Sequence, residues 1–166
     1  MTINETIGAV LHAEHLRTLS AMDALDTRTA GEAKRRPLDA ARPEDRQLVE
    51  ELVAIFDSDV CRHFRFEEEE LFPKLEKHGM GDVTRMLTEE HATIKGFIGP
   101  LKRLCQTALE RPLGKDEWTE FRNLAMDLVN SITFHIQKEE MGIIRGMQVL
   151  LDEAACRELA RRYSAY

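Results

Sequence analysis

Hydrophobic residues recur along this chain at spacings of three and four positions, with polar residues between them. This period is typical of amphipathic α-helices, and no stretch shows the convincing alternation of period two that indicates a half-buried strand. The pattern therefore predicts an all-α protein.

Two helices are predicted in the first half of the chain. The first runs from about Asn4 to Leu25 and is followed by a long polar connection that contains Gly31 and Pro37. The second begins at Pro43, because the fixed φ of proline suits the first turn of a helix. It is expected to end at the glycine-containing turn of residues 78–82.

Two further long segments and one short segment follow. The third helix is predicted to be capped by Asp82, to reach Cys105 and to be kinked at Pro100. The fourth covers about residues 121–150, and a short amphipathic helix is expected at about 152–163.

Short turns after the second and third helices favour antiparallel neighbours. The prediction is an up-down four-helix bundle of about residues 5–150, closed by the C-terminal helix, in a single domain of residues 1–166. A bundle with two crossovers would need two long connections, and only the first connection of this chain is long.

Composition narrows the functional classes. The 166 residues include 23 Lys and Arg against 30 Asp and Glu, a net charge of −7, which argues against nucleic acid or an anionic membrane as partner. The first residues lack a basic, apolar leader and no segment is long and apolar enough for a bilayer, so a cytoplasmic location is expected. Three widely spaced cysteines without a CxxC motif argue against disulfides and against a thiolate zinc site.

Six polar residues interrupt the apolar stripes of the four long helices. An ionised carboxylate on such a face costs several kcal/mol unless it is paired or binds a metal. These residues are His15, His63, Glu67, His91, His135 and Glu139.

The six residues fall into two matching halves. The sequence around His15 aligns with that around His91, 76 positions later, and HFRFEEEELF aligns with HIQKEEMGII, 72 positions later. Each half supplies one lone histidine and one His-x-x-x-Glu pair, whose members lie on the same helix face. Two such half-sites suit a pair of metal ions about 3.5–4 Å apart. Imidazole with carboxylate suits iron, manganese or zinc.

Several neighbours are candidates for supporting roles. His12 borders the same face as His15 and could replace or supplement it, although the internal alignment selects His15. Within the run of four glutamates, Glu67 is expected to point inward, Glu68 and Glu69 towards solvent, and Glu70 towards the edge. Other outer groups or alternative ligands are Glu140, which corresponds to Glu70 in its expected role, and Lys95, expected at the rim.

The segments that end in EEH91, begin with H63FRFEEEELFP and begin with H135IQKEE together resemble the hemerythrin-like (HHE cation-binding) family over about residues 5–150. The resemblance implies a four-helix bundle around a non-haem di-iron centre, bridged by two carboxylates and by an oxo or hydroxo oxygen from solvent. It implies as ligands His15, His63, Glu67, His91, His135 and Glu139.

The pattern departs from that of the oxygen-carrying members. Lys95 stands where the carriers have a further histidine, and their fourth-helix carboxylate would correspond to Glu140 rather than Glu139. The ligand pattern is more similar to that of di-iron proteins associated with repair of iron-sulfur clusters and with nitric oxide stress. Their N-terminal domain with its cysteine pair has no counterpart in the sequence.

The resemblance implies a di-iron protein that binds or responds to O2 or NO, as a monomer or homodimer. One alternative is a di-iron enzyme or repair factor that removes NO or peroxide or donates iron to damaged iron-sulfur clusters. A second alternative is a metal-free interaction bundle, which would leave Glu67 and Glu139 buried without partners.

Overall fold

The computed structural model of the protein describes residues 6–166, so the predicted start of the first helix near Asn4 lies outside the described residues. Within this range the chain is helical and has no strands, which confirms the all-α prediction. None of the helices described is both long and apolar enough to cross a bilayer. The helices are α1 (Ile7–Thr29), α2 (43–76), α3 (Gly81–Glu110), α4 (115–150) and α5 (Glu153–Tyr163).

Helices α2 and α4 contain π-helical segments. These are Phe56–Cys61 and Glu67–Leu71 in α2, and Glu140–Ile144 in α4. A π turn closes i→i+5 hydrogen bonds, so it accommodates more residues than an α turn and is frequent at functional sites. One segment starts at Glu67, and another starts directly after Glu139. These are the two glutamates that the sequence singles out.

Two predicted helix ends differ from the structure. Helix α1 continues to Thr29, whose hydroxyl donates to the Leu25 carbonyl. The prediction that Asp82 caps the third helix is wrong, because α3 begins at Gly81 and Asp82 lies in its first turn, paired with Arg85. Helix α3 continues through Pro100 to Glu110.

The four long helices form a bundle in which each has two neighbours. Helix α1 packs against α2 and α4, and α3 packs against the same two helices. Helix α5 lies on α1, which confirms a C-terminal helix added to the bundle. The thiols of Cys61, Cys105 and Cys156 are all free.

The bundle interior consists of two hydrophobic clusters. One includes Leu25, Phe56 and Leu128, and the other includes Leu11, Leu71 and Ile143. On each long helix the boundary between the clusters falls beside the buried histidines and glutamates. The apolar core therefore encloses a polar layer from both sides.

The long connection between α1 and α2 is held by buried charges. Asp45, 1% exposed, accepts from Arg28 at 2.6 Å and from Arg42 at 2.5 Å. Arg28 also donates to the carbonyls of Ala33, Arg36 and Pro37, all in the connection. One aspartate in the first turn of α2 thereby fixes the connection against α1.

We expect Asp45→Ala to destabilise the fold by about 3–5 kcal/mol, because it leaves the half-buried Arg28 without its counter-charge. Urea unfolding of the metal-free protein measures the change. Glu32→Ala, which breaks an exposed pair with Arg35, is the control and should change stability by less than ~0.5 kcal/mol. Equal stability of the two variants would contradict the role assigned to Asp45.

Candidate metal centre

All six residues singled out in the sequence meet in the polar layer. His15, His63, Glu67, His91, His135 and Glu139 are each at most 4% exposed. They form two overlapping groups whose potential ligand atoms lie within 4.8 Å of one another. One group contains Glu67, His91, His135 and Glu139, and the other contains His15, His63 and Glu139. Such groups can hold metal ions.

The two carboxylates lie between the two pairs of histidines. Glu139 Oε2 is 3.0 Å from His15 Nε2, and its Oε1 is 2.8 Å from His135 Nε2. Glu67 Oε1 is 3.2 Å from His63 Nε2, and its Oε2 is 3.4 Å from His91 Nε2. Each carboxylate thus directs one oxygen to each half of the site, which is the arrangement of a bridging ligand.

Each of the four histidines has a second carboxylate at its other ring nitrogen, Nδ1. The distances from Nδ1 to the carboxylate oxygen lie between 2.6 and 3.1 Å. A carboxylate can only accept, so Nδ1 carries the proton of the neutral ring and Nε2 presents its lone pair to the site. The pairs are His15 with Glu140, His63 with Glu14, His91 with Glu68 and His135 with Glu90.

The outer carboxylates have basic partners of their own. Lys95 lies 2.9 Å from Glu68, and His12 lies 3.0 Å from Glu140. Glu14 is paired with Arg62 and Glu90 with Lys138. Three of the four outer carboxylates are therefore compensated by an Arg or Lys side chain, whereas the two inner carboxylates are left with the histidines alone.

The inner atoms lack hydrogen bonds within the described residues. Both oxygens of Glu67 and of Glu139, and Nε2 of His15 and His63, are buried without a partner, since their close contacts lack hydrogen-bond geometry. His91 Nε2 and His135 Nε2 lie 3.1 Å apart, and since both Nδ1 atoms donate outwards, a shared proton or a metal ion is needed between the two Nε2 lone pairs. Such convergence is unfavourable unless cations lie between the donors, so the donor set fits metal ions.

Without metal, the carboxylates favour protonated imidazoles. Burial lowers the pKa of His63, but Glu67, Glu14 and Glu139 raise it by more, so the net pKa lies well above its usual range. Against the same burial, Glu139 and Glu67 raise the pKa of His91 to about 9, and Glu139 raises the pKa of His135. Burial alone would raise the pKa of Glu139, yet His135, His15 and His91 hold it well below its usual range.

The four successive glutamates have four different environments. Glu67 is in the inner layer, Glu69 accepts from Tyr166 at 2.6 Å, and Glu70 accepts from Arg162 at 2.8 Å. The prediction that Glu68 faces solvent is wrong, because it lies 2.8 Å from His91 Nδ1. Glu67 and Glu68 reach different histidines because His63 and His91 lie on different helices, so two adjacent side chains that diverge by about 100° can both be used.

The other neighbouring candidates occupy outer positions. His12 is exposed and contacts Glu140 rather than the inner layer, so it does not replace His15. Glu140 accepts from His15, whereas Glu70, expected to behave alike, contacts α5 instead. Lys95 lies at the rim, where its Nζ donates to Glu68 Oε1 at 2.9 Å.

Sequence reasoning missed the roles of Glu14, Glu68 and Glu90. The signal was present in the internal alignment, because Glu14-His15 recurs as Glu90-His91, and Glu67-Glu68 recurs as Glu139-Glu140. The alignment did not show which histidine each glutamate contacts. Glu14 and Glu90 contact Nδ1 of a histidine on the following helix. They do not orient the histidine next to them in sequence.

Comparison with known proteins identifies a single domain type. A family model described as "Hemerythrin HHE cation binding domain" matches residues 6–145, a range that includes all six inner residues and the four outer carboxylates. No curated protein is significantly similar to the chain.

The run of glutamates provides an internal comparison. We expect Glu67→Ala to lose at least one of two metal ions, because it removes an oxygen from each half of the site and a negative charge. Glu68→Ala should keep both ions but weaken binding about 10-fold or more through His91. Glu69→Ala should leave metal affinity unchanged. Chelator competition measures all three, with Glu139→Ala expected to match Glu67→Ala, and equal affinities across the run would contradict these assignments.

Metal binding should release protons. At pH 7 the raised pKa values keep His63 and His91 largely protonated in the metal-free fold, and a metal ion must displace those protons. The apparent affinity should therefore increase as the pH rises towards about 9, the pKa of His91. Calorimetry with Zn²⁺ in buffers of different ionisation enthalpy counts the protons. Binding that releases none and is independent of pH would contradict the protonation of these histidines.

Proposed function

The chain belongs to the hemerythrin HHE cation-binding family, and on this premise we propose that it is a non-haem di-iron protein that binds or responds to O2 or NO. The observation that carries the proposal is the convergence of four imidazole Nε2 atoms on two carboxylates that lie between them. A metal-free interaction bundle is disfavoured, because it would leave these buried atoms without partners.

The chain's own residues divide the ligand atoms between two ions. His15 and His63 would hold one ion, His91 and His135 the other, and Glu67 and Glu139 would bridge them. Two divalent ions would bring four positive charges, and the inner carboxylates carry two negative charges. The centre would keep a net positive charge, which favours anionic ligands. Ferrous ions in these positions would supply open coordination sites and reducing equivalents for a diatomic gas.

The half-site of His15 and His63 has space beside it. A cavity of about 10 Å³ borders both histidines and Glu139. This is at the lower limit of the volume that one water molecule requires. The rest of its lining is mainly apolar, from Val60, Phe64 and side chains of α4, with the hydroxyl-bearing Thr18 beside His15.

The polar groups around this cavity support ligand binding more than turnover. Of its polar residues outside the inner layer, Asp59 is paired with Arg17 at 2.9 Å, and Thr18 has no acidic or basic group. Asp59 is engaged in that ion pair, and a threonine hydroxyl is a poor proton donor. A role in binding or sensing therefore has more support than the enzyme or repair alternatives.

Protein reconstituted with Fe²⁺ in the absence of air should contain two iron atoms per chain and should change its visible absorption on addition of NO. Thr18→Leu fills the cavity and should slow NO association about 10-fold or more without changing iron content. Stopped-flow absorption measures the rate, and Thr18→Val, which keeps the side-chain volume, is the control. One zinc ion as the only metal bound, or no spectral response to NO, would contradict the proposal.

A further inference from the structure

Helix α5 carries a buried hydroxyl to the edge of the metal centre. We propose that Tyr163 is a positioning residue for the half-site of His15 and His63, and that docking of α5 is thereby coupled to metal binding. The inference rests on the proposed metal centre. It concerns a segment outside the family match, which ends at residue 145.

The connection from α5 to the inner layer consists of two contacts. The hydroxyl of Tyr163, a residue 1% exposed, donates to Glu14 Oε2. The same oxygen lies 3.1 Å from Nδ1 of His63. Arg62 donates to the other oxygen of Glu14 and lies over the Tyr163 ring, 4.5 Å from its centroid. Tyr163 therefore helps to fix the carboxylate that orients His63.

The hydrogen bond from Tyr163 to Glu14 is important because it is buried. Glu14 and His63 are only 3% and 2% exposed, so a donor lost from Glu14 would not be replaced freely by water. Burial and Glu14 raise the pKa of Tyr163, which remains a donor across the accessible pH range. The ordered hydroxyl withdraws charge from Glu14 and limits how strongly that carboxylate polarises His63.

The other half of the centre is built differently. Glu90, which corresponds to Glu14 in the internal alignment, contacts His135 and Lys138 and is 26% exposed. The two tyrosines of the chain, Tyr163 and Tyr166, donate to Glu14 and Glu69, so neither is a partner of Glu90. A feature present on one of two duplicated halves is not required for the fold of a half-site, and it gives the two ions different surroundings.

Two exposed contacts lie between the C-terminal segment and the turn that carries Glu67. Tyr166 donates to Glu69, and Arg162 donates to Glu70. Exposed contacts of this kind contribute little energy. The connection of α5 to the metal centre therefore depends on the buried contact of Tyr163 with Glu14 on α1.

Coupling of this kind is reciprocal. If docking of α5 strengthens metal binding by some factor, metal binding must strengthen docking of α5 by the same factor. Helix α5 has only 11 residues and packs on α1 outside the four-helix bundle, so its docking can change without unfolding the bundle.

The test uses Co²⁺, whose absorption reports its ligand field, in wild-type protein and in Tyr163→Phe. We expect the variant to bind two ions, one of them about 10-fold more weakly and with an altered spectrum. Tyr166→Phe is the matched control, because it removes a tyrosine hydroxyl from an exposed glutamate, and it should match wild type. Unchanged affinity and spectrum in Tyr163→Phe would overturn the inference.

A double-mutant cycle with Glu14→Gln separates positioning from general destabilisation. If Tyr163 acts through Glu14, Tyr163→Phe should have no further effect on Co²⁺ affinity in the Glu14→Gln background. Additive effects would contradict this route. Glu14→Gln by itself also tests whether the carboxylate matters, should Tyr163→Phe fail to fold.

Hydrogen exchange tests the reverse direction. Co²⁺ should slow amide exchange in α5 of the wild type, and this protection should be smaller in Tyr163→Phe. Exchange in α5 that is indifferent to metal would contradict the coupling. Failure of the wild type to take up two ions would instead contradict the proposed function, so the two failures are distinguishable.

Discussion

The burial of two carboxylates among four imidazoles is the constraint on which the rest of the structure depends. Glu67 and Glu139 are almost inaccessible to solvent, and none of their oxygens has a hydrogen-bond donor in the described residues. Two negative charges without partners would cost several kcal/mol each. The fold is explicable only if positive charge enters this layer, as protons on the histidines or as metal ions.

The bundle holds this layer in place by surrounding it with compensated charges. Each histidine is oriented by an outer carboxylate, and each outer carboxylate has a basic side chain nearby. The apolar clusters above and below limit the access of water, which strengthens every electrostatic interaction inside. Because Arg62, Lys95 and Lys138 compensate three of the outer carboxylates, most of the uncompensated negative charge lies on the two inner carboxylates.

The two halves are alike in their ligands but not in their surroundings. The ring of Phe64 stacks on His91 with centroids 3.8 Å apart, so the half with His91 and His135 is closely packed. The half with His15 and His63 borders a small cavity and is linked to α5 through Glu14. The two halves of the duplicated arrangement therefore differ in their packing and in their connection to α5.

The sequence by itself determined the helices and the six inner residues. Helical periodicity specifies which side chains share a face, and a histidine or glutamate on an apolar face is visible without any structure. The duplication selected His15 over His12. The local pattern could not determine which residue Glu14 or Glu90 contacts, because each carboxylate contacts a histidine on another helix.

Only the tertiary structure decided the roles of the four glutamates and of α5. The periodicity of one helix directs Glu68 away from the inner layer, but the packing of α3 against α2 brings His91 Nδ1 within 2.8 Å of it. The contact of Tyr163 with Glu14 joins residues 149 positions apart, and no local pattern encodes it. Side-chain periodicity is a property of one helix, but the partners of a buried charge depend on how several helices pack, which is why the sequence located the site and the fold assigned its outer groups.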